Sequence, residues 1–410
     1  MKQIDQLFDF SKDAPVKPCL DGSLCQPYKM VPVRFGPFLI SNMPIHERSS
    51  STSSVSTQSG SVSTQSERLT QQPDKVDLGV HPGGWRLNVA PMIDVTDRHC
   101  RYFHRLLAPH ARLYTEMITT GALTHGDIER HLDFNEQEHP VALQLGGSEP
   151  EALSRAARLG AQWGYDEINL NCGCPSERVQ KGAFGACLMA EPQLVADCVK
   201  AMQDAVSIPV TVKHRLGLDY NDDYGFVRDF VGKIYDTGCR VFIVHARNAV
   251  LKGLTPKDNR DIPPLRYAEA AKLKHDFPDA VVVLNGGLSS VEDCAHALNT
   301  FDGVMLGRAP WHNPSVLSEL SSAFWPSEQP LTEEVLIDRL VRYAALQIKR
   351  DTPLRIVVRP LLGLFNGRPR SRLWRRMLSD SKLLNMNEAE LIRRAWAEVG
   401  STAPIAAGSP

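Results

Sequence analysis

The sequence predicts an α/β protein, a (β/α)8 TIM barrel followed by a small helical C-terminal domain, and three observations carry that expectation. Eight short β-branched or apolar runs succeed one another between residues 85 and 325, helical patterns separate them, and beyond Trp325 no convincing strand pattern recurs. Strands alternating with helices argue for βα units and a parallel sheet. Eight strands in this span suit a barrel of about 250 residues, with an open doubly wound sheet as the structural alternative.

The runs are 87–90, 113–116, 141–145, 167–171, 210–215, 241–246, 281–285 and 303–306. Between them, segments such as 149–163 and 192–206 repeat Ala and Leu at three- and four-residue spacing, the mark of a helix with one buried face. After the barrel, 333–349 and 388–398 read as amphipathic helices, which places a helical domain at 330–400. Before it, 15 of the 18 residues from Ser49 to Ser66 are Ser, Thr or Gln. Such a segment cannot bury enough apolar surface to offset the entropy of ordering, so residues 1–80 are expected to be a disordered, low-complexity extension.

Composition narrows the function classes. The 410 residues are 42 % hydrophobic and 23 % charged, which excludes collagenous, coiled-coil and wholly disordered chains. Lys+Arg is 46 against Asp+Glu 47, so a net charge of −1 gives no global pull toward nucleic acid or membrane. The distribution is polarised nonetheless. From Arg339 to Arg376 there are eleven Lys or Arg and one acid, Asp351. No apolar stretch approaches the roughly 18 residues of a membrane span, and the N-terminus lacks an apolar signal core, so a cytoplasmic protein without membrane contact is expected; a monomer is expected as well. Nine sparse cysteines read as reduced thiols rather than a disulfide framework.

In a barrel of this kind the active site is built from the C-terminal ends of the strands. Those ends carry Ala90-Pro91-Met92, Gln144, Asn169 to Pro175, Lys213-His214-Arg215, His245-Ala246-Arg247, Asn285-Gly286-Gly287 and Gly307-Arg308. The last two loops hold glycines, and in barrels these two loops frequently bind phosphate through backbone N–H groups. A phosphate cup at Gly286, Gly287 and Gly307 with Arg308 as its cation is the expectation; tight turns are the plainer alternative. Lys213 and His245 end apolar strands, where an unpaired charge is costly. Either an internal ion pair with Glu116 or Asp166 or a bound anionic group would offset that cost. A flavin ring would serve, with Lys213 stabilising its reduced form and Gln144 hydrogen-bonding its pyrimidine edge.

Cys172-Gly173-Cys174 lacks the spacing and the second ligand pair of a structural zinc site, so no metal is expected. Buried, inert thiols are expected at Cys172, Cys187, Cys198, Cys239 and Cys294. Cys174 differs, because Gly173 and Pro175 hold it in a turn at the barrel mouth. A thiol with a reference pKa of about 8.5 is mostly protonated at neutral pH and can act as a general acid.

These residues resemble the flavin-dependent tRNA-dihydrouridine synthases, most closely the members acting on uridines 20 and 20a. The similarity runs from about Leu87 to Trp374. Its most specific segments are Ala90-Pro91-Met92 with Thr96 to Arg101, Tyr114 to Met117, His139 to Gly147, and Asn169 to Ser176 with Phe184 to Met189. The resemblance implies FMN held by Ala90, Pro91, Met92, Gln144, Lys213, His245, Asn285, Gly286, Gly287, Gly307 and Arg308. It further implies NADPH as reductant, hydride transfer from the flavin to C6 of a uracil, and protonation of C5 by Cys174. Asn171, Lys257, Arg260, Arg372 and Arg375 would touch the tRNA, whose target base has to be turned out of its stack. Two positions depart from the family pattern: Cys172 stands where relatives often have Val, and Pro360 where they commonly have His. A barrel flavoenzyme acting on a free pyrimidine is the competing function, although a small substrate needs no arginine-rich surface. A catalytically silent tRNA-binding protein is the third, and it predicts no effect of Cys174→Ala.

Overall fold

The computed structural model describes residues 84–400, and the expected disordered extension lies outside the described residues. The strands are β1 (Leu87–Val89), β2 (Arg112–Tyr114), β3 (Ile118–Thr119), β4 (Val141–Gly146), β5 (Glu167–Cys172), β6 (Val210–Arg215), β7 (Val241–His245), β8 (Val281–Asn285) and β9 (Gly303–Leu306). Every pairing is parallel. The ladder runs from β1 to β2, from β2 to β4, and onward through β9, which returns to β1. Eight strands therefore close a TIM barrel, and the doubly wound alternative is excluded. The two-residue β3, which no sequence pattern announced, pairs with the far end of β4 through Ile118↔Leu145.

Register sets what shares a level at the mouth. Gln144 lies opposite Asn169, Asn171 opposite Lys213, Arg215 opposite His245, and His245 opposite Asn285. Strands of a parallel barrel are covered on both faces and so read as continuous apolar runs. Their outward side chains, such as Leu143, Ile168, Val212 and Val244, join the main core with the helices. Their inward ones, including Ile243, Val283 and Met305, form a separate cluster inside the barrel.

The surrounding helices follow their sequence signals. Asp97 caps the helix Arg98–Leu107 by accepting from the N–H groups of His99 and Cys100, and proline opens both Pro150–Gln162 and Pro192–Gln203. After β9 every described element is helical. Glu333–Ile348 docks on the barrel's first helix, with Tyr343 stacked on Tyr102 at 3.8 Å and its hydroxyl 2.8 Å from His99 Nδ1. In Ser371–Met377 the Trp374 ring is fully buried, donates to the Leu361 carbonyl at 2.8 Å and meets Phe365 edge-on. Burying a side chain of that size contributes about 3 kcal/mol. Its neighbours Arg372 and Arg376 are left exposed. The cluster of positive charge is also less bare than the sequence suggests: Arg359 pairs with Asp97 at 3.5 Å and Arg368 with Glu333, acids that lie outside the arginine-rich stretch.

Candidate active site

The strand ends gather the predicted residues at one mouth. Ala90 N–H donates to the Leu306 carbonyl at 2.8 Å, which joins the ends of β1 and β9, and Met92 N–H donates to Thr96 Oγ1 at 3.0 Å. At the end of β8 the backbone turns through Gly286 and Gly287, with φ of +108° and +76°, a region that L side chains rarely adopt. A Cβ at Gly286 would also sit 2.7 Å from the His245 ring, so the backbone itself faces the mouth there. Arg308 pairs with Asp261 at 2.7 Å, so a carboxylate occupies the cation expected to meet a phosphate.

Lys213 is half-buried and donates to Asn285 Oδ1 at 3.0 Å, while Asn285 Nδ2 donates to the Met305 carbonyl at 2.8 Å. The internal ion pair is not formed: Asp166 binds His139 at 2.7 Å, Glu116 accepts from the Asp94 N–H, and no carboxylate pairs with Lys213 among the described residues. Burial first, and then Arg215, pushes the Lys213 amine down to about 7. His245 is pushed well below the ordinary histidine range by burial and then by Arg215, Lys213, Arg247 and Arg260. The mouth is therefore a collection of cations short of counter-charge around a neutral imidazole.

Cys174 is half-buried and sits in a turn fixed from several sides. Asn171 Oδ1 accepts the N–H groups of Gly173 at 3.1 Å and Cys174 at 3.0 Å. Arg215 Nε donates to the Gly173 carbonyl at 3.1 Å, and its Nη1 reaches the carbonyls of Asn248 and Asn259. Gln180 ties the Pro175 carbonyl to that of Leu251. Ala186 N–H donates to the Cys174 carbonyl at 2.9 Å, and a Cβ at Gly185 would approach that oxygen to 2.7 Å, so glycine is required for this closure. The Cys174 sulfur is close enough to Lys213, Arg215 and Arg260 that its negative form opposes the downward push on each.

Other expectations take a different form here. Asn171, expected to touch the tRNA, is buried at the end of β5 with one N–H bonded to Gln144 and its oxygen capping the Cys174 turn. Lys257 and Arg260 are exposed on the loop after β7, and Arg372 is exposed beside the half-buried Arg375. Cys187, expected to be buried, is half-buried and donates to the Phe184 carbonyl, whereas Cys172, Cys198, Cys239 and Cys294 are buried. No group of three metal-binding side chains occurs among the described residues, and no described helix is long and apolar enough to cross a membrane. Arg215 and Gln180 were missed as clamps of the turn. Strand parity was the available signal for Arg215, since residues 211, 213 and 215 share the inward side of β6.

The donor set suits an anionic cofactor: Lys213 and Arg215 without a carboxylate partner among the described residues, the lysine held only by an amide, and a glycine backbone exposed at β8. Fold and site together define a (β/α)8-barrel enzyme with a cation-lined mouth and a positioned thiol. The dihydrouridine synthase (Dus) family profile matches residues 88–398, and this chain belongs to that family. It is 55 % identical over 295 residues, 72 % of this chain and 88 % of the relative, to the tRNA-dihydrouridine(20/20a) synthase of Pseudomonas syringae pv. tomato. It is 51 % identical over 320 residues, 78 % of this chain and 95 % of the relative, to the enzyme of the same name from Synechocystis sp.. Among solved structures, morphinone reductase aligns with a TM-score of 0.43 at 13 % identity, over 58 % of this chain and 86 % of that one.

Proposed function

We propose that this protein is a flavin-dependent tRNA-dihydrouridine synthase that reduces the C5=C6 bond of uridines 20 and 20a in the tRNA D-loop, with FMN as cofactor and NADPH as reductant. The observation that carries the reading is the Cys174 thiol, held in a fixed turn beside Lys213 and Arg215, neither of which has a carboxylate partner among the described residues. The names of relatives matched over nearly their whole length support the choice of target uridines.

When bound, FMN reduced by NADPH supplies a hydride for C6 of the uracil. Ala90, Pro91, Met92, Gln144, Lys213, His245, Asn285, Gly286, Gly287, Gly307 and Arg308 would hold the cofactor. Gln144 has one N–H and one lone pair left after its internal bonds, enough to orient a pyrimidine-like edge. The Lys213 amine gains its proton when an anion enters the mouth and then balances that charge. Negative charge develops at C5 as C6 is attacked, because C5 is conjugated to the C4 carbonyl. Cys174 meets it: the S–H bond breaks, the C5–H bond forms, and solvent returns a proton to the sulfur.

Turning the base out of its stack costs a few kcal/mol. Phosphate contacts from Lys257, Arg260, Arg372 and Arg375 would offset that cost, with the helices after the barrel as the RNA-binding domain and one protomer sufficient. The test is an incubation of purified protein with NADPH and unmodified tRNA, followed by mass spectrometry of the digested RNA. Two hydrogens gained at uridines 20 and 20a are expected. A yellow, NADPH-reducible protein that adds none to any tRNA would instead take a free pyrimidine.

A further inference from the structure

The interior of a (β/α)8 barrel is normally filled by layers of branched aliphatic side chains. Below its polar mouth residues His245 and Asn285, the wall formed by β7, β8, β9 and β1 conforms apart from the buried Asn88, with Val241, Ile243, Val283, Met305 and Ala90. The wall formed by β4, β5 and β6 does not. Gln144, Glu167, Asn169, Asn171 and Thr211 are all polar and all buried there. Aliphatic residues of similar volume would line this wall at less cost, since buried polar groups must recover the hydration they lose.

The bonds among these five side chains form a single file that can run in only one direction. Glu167, ion-paired with Arg112 at 3.2 Å, accepts from the Thr211 hydroxyl at 2.5 Å. A hydroxyl whose hydrogen is committed can only accept from its next neighbour, and Asn169 Nδ2 donates to it at 2.7 Å. That turns Asn169 Oδ1 toward Gln144, whose Nε2 donates to it at 2.8 Å. Gln144 Oε1 then accepts from Asn171 Nδ2 at 2.9 Å, and Asn171 Oδ1 closes the file on the N–H groups of Gly173 and Cys174. An amide reversed at any station would set oxygen against oxygen and N–H against N–H at its neighbours.

We infer that Glu167, Thr211 and Asn169 are positioning residues for uridine reduction. One buried carboxylate on the floor of the barrel fixes the amide orientation of Gln144 and Asn171, and through them the turn that aims the Cys174 thiol. All three are fully buried and bonded to other side chains of the file, Asn169 at the level of Gln144 and the other two at the floor end of the file, so each acts through another side chain. The inference rests on the reading of Cys174 as the proton donor.

The experiment compares wild type, Thr211→Val and Thr211→Ser as flavin-loaded enzymes. Valine keeps the volume and removes the hydroxyl, whereas serine keeps the hydroxyl; Thr211→Ala replaces the valine variant if that one does not fold. Thr211→Val is expected to slow reoxidation of the NADPH-reduced enzyme by tRNA by about tenfold or more, with the rate of reduction by NADPH within about twofold of wild type. Thr211→Ser is expected to recover most of the lost rate. Iodoacetamide labelling, mapped by peptide mass spectrometry, reads the turn without tRNA. Cys174 should label several-fold faster in Thr211→Val, with Cys187, the other half-buried thiol among the described residues, unchanged. Wild-type reoxidation and wild-type Cys174 labelling in Thr211→Val would overturn the relay. So would an equal fall of both half-reactions, or failure of serine to restore, since either makes Thr211 a packing residue. If the wild-type enzyme itself reduced no tRNA, the function would fall while the labelling contrast still decided the relay.

Discussion

The barrel mouth and the helices after the barrel are both rich in cations, but the two sets are held in opposite ways. At the mouth, Arg215 is buried and its guanidinium is spent on three backbone carbonyls, and Lys213 is held by one amide oxygen. On the helix Ser371–Met377, Arg372 and Arg376 stand exposed around the buried Trp374 and carry no ion pair among the described residues. Burial makes the first set expensive and fixed, so that Lys213 is pushed down to about 7 and Arg215 to about 9. Exposure leaves the second set screened by salt and free to meet a polyanion. Under the proposed function, charge at the mouth would serve chemistry and charge on the helices attachment.

Breaking the mouth at its reacting atom is expected to have the largest effect. Cys174→Ala should lower dihydrouridine formation by about 10²- to 10⁴-fold, the usual contribution of a positioned general acid, while flavin content stays at the wild-type level. Both quantities can be read from one preparation, by absorbance and by nucleoside mass spectrometry. Turnover near the wild-type rate would move the acid to Cys172 or to solvent.

Lys213 comes next, and its signature is a pH dependence. With the amine at about 7 in the free protein and raised when it faces an anion, it is mostly neutral at about pH 8 before FMN binds and more fully charged afterwards. Calorimetry in buffers of different ionisation heat should therefore show uptake of up to one proton on FMN binding just above about pH 7, fading below about pH 6, where the amine is already protonated. Lys213→Met should abolish the uptake and weaken FMN by about tenfold or more. Undiminished uptake in the variant would take Lys213 out of the cofactor site.

How much of this was legible beforehand depended on the kind of interaction. The strands were readable because a parallel barrel buries both faces, so that 210–215, 281–285 and 303–306 stand out as short apolar runs with polar ends. The candidate site was readable as a set, since residues at those ends must converge at one mouth. What could not be read was pairing across strands. Nothing near Arg308 in the chain announces Asp261, and nothing near Asn171 shows that its amide is committed to Gln144 and to the Cys174 turn. The two-residue β3 is too short to leave a periodic signal. The excess of arginine was countable, but the acids that neutralise Arg359 and Arg368 come from 97 and 333, beyond the counted window.

The helices supply the smallest effect and the sharpest contrast with the mouth. Replacing Arg372 and Arg375 together by Gln removes two cations while leaving Trp374 and its bond to the Leu361 carbonyl in place. If both meet phosphates, tRNA affinity should fall and the dependence of log Kd on log salt should flatten by about 1.4 to 2, because each neutralised phosphate contributes about 0.7 to 1 to that slope. The rate at saturating tRNA should stay within about twofold of wild type, since these residues lie outside the relay and the thiol turn. Binding titrations at several salt concentrations measure the slope, and single-turnover rates measure the chemistry. An unchanged slope would return the pair to an ordinary solvated helix face. A lost single-turnover rate with an intact slope would instead mean that the helices help shape the mouth, and the division between buried chemistry and exposed attachment would fail at that point.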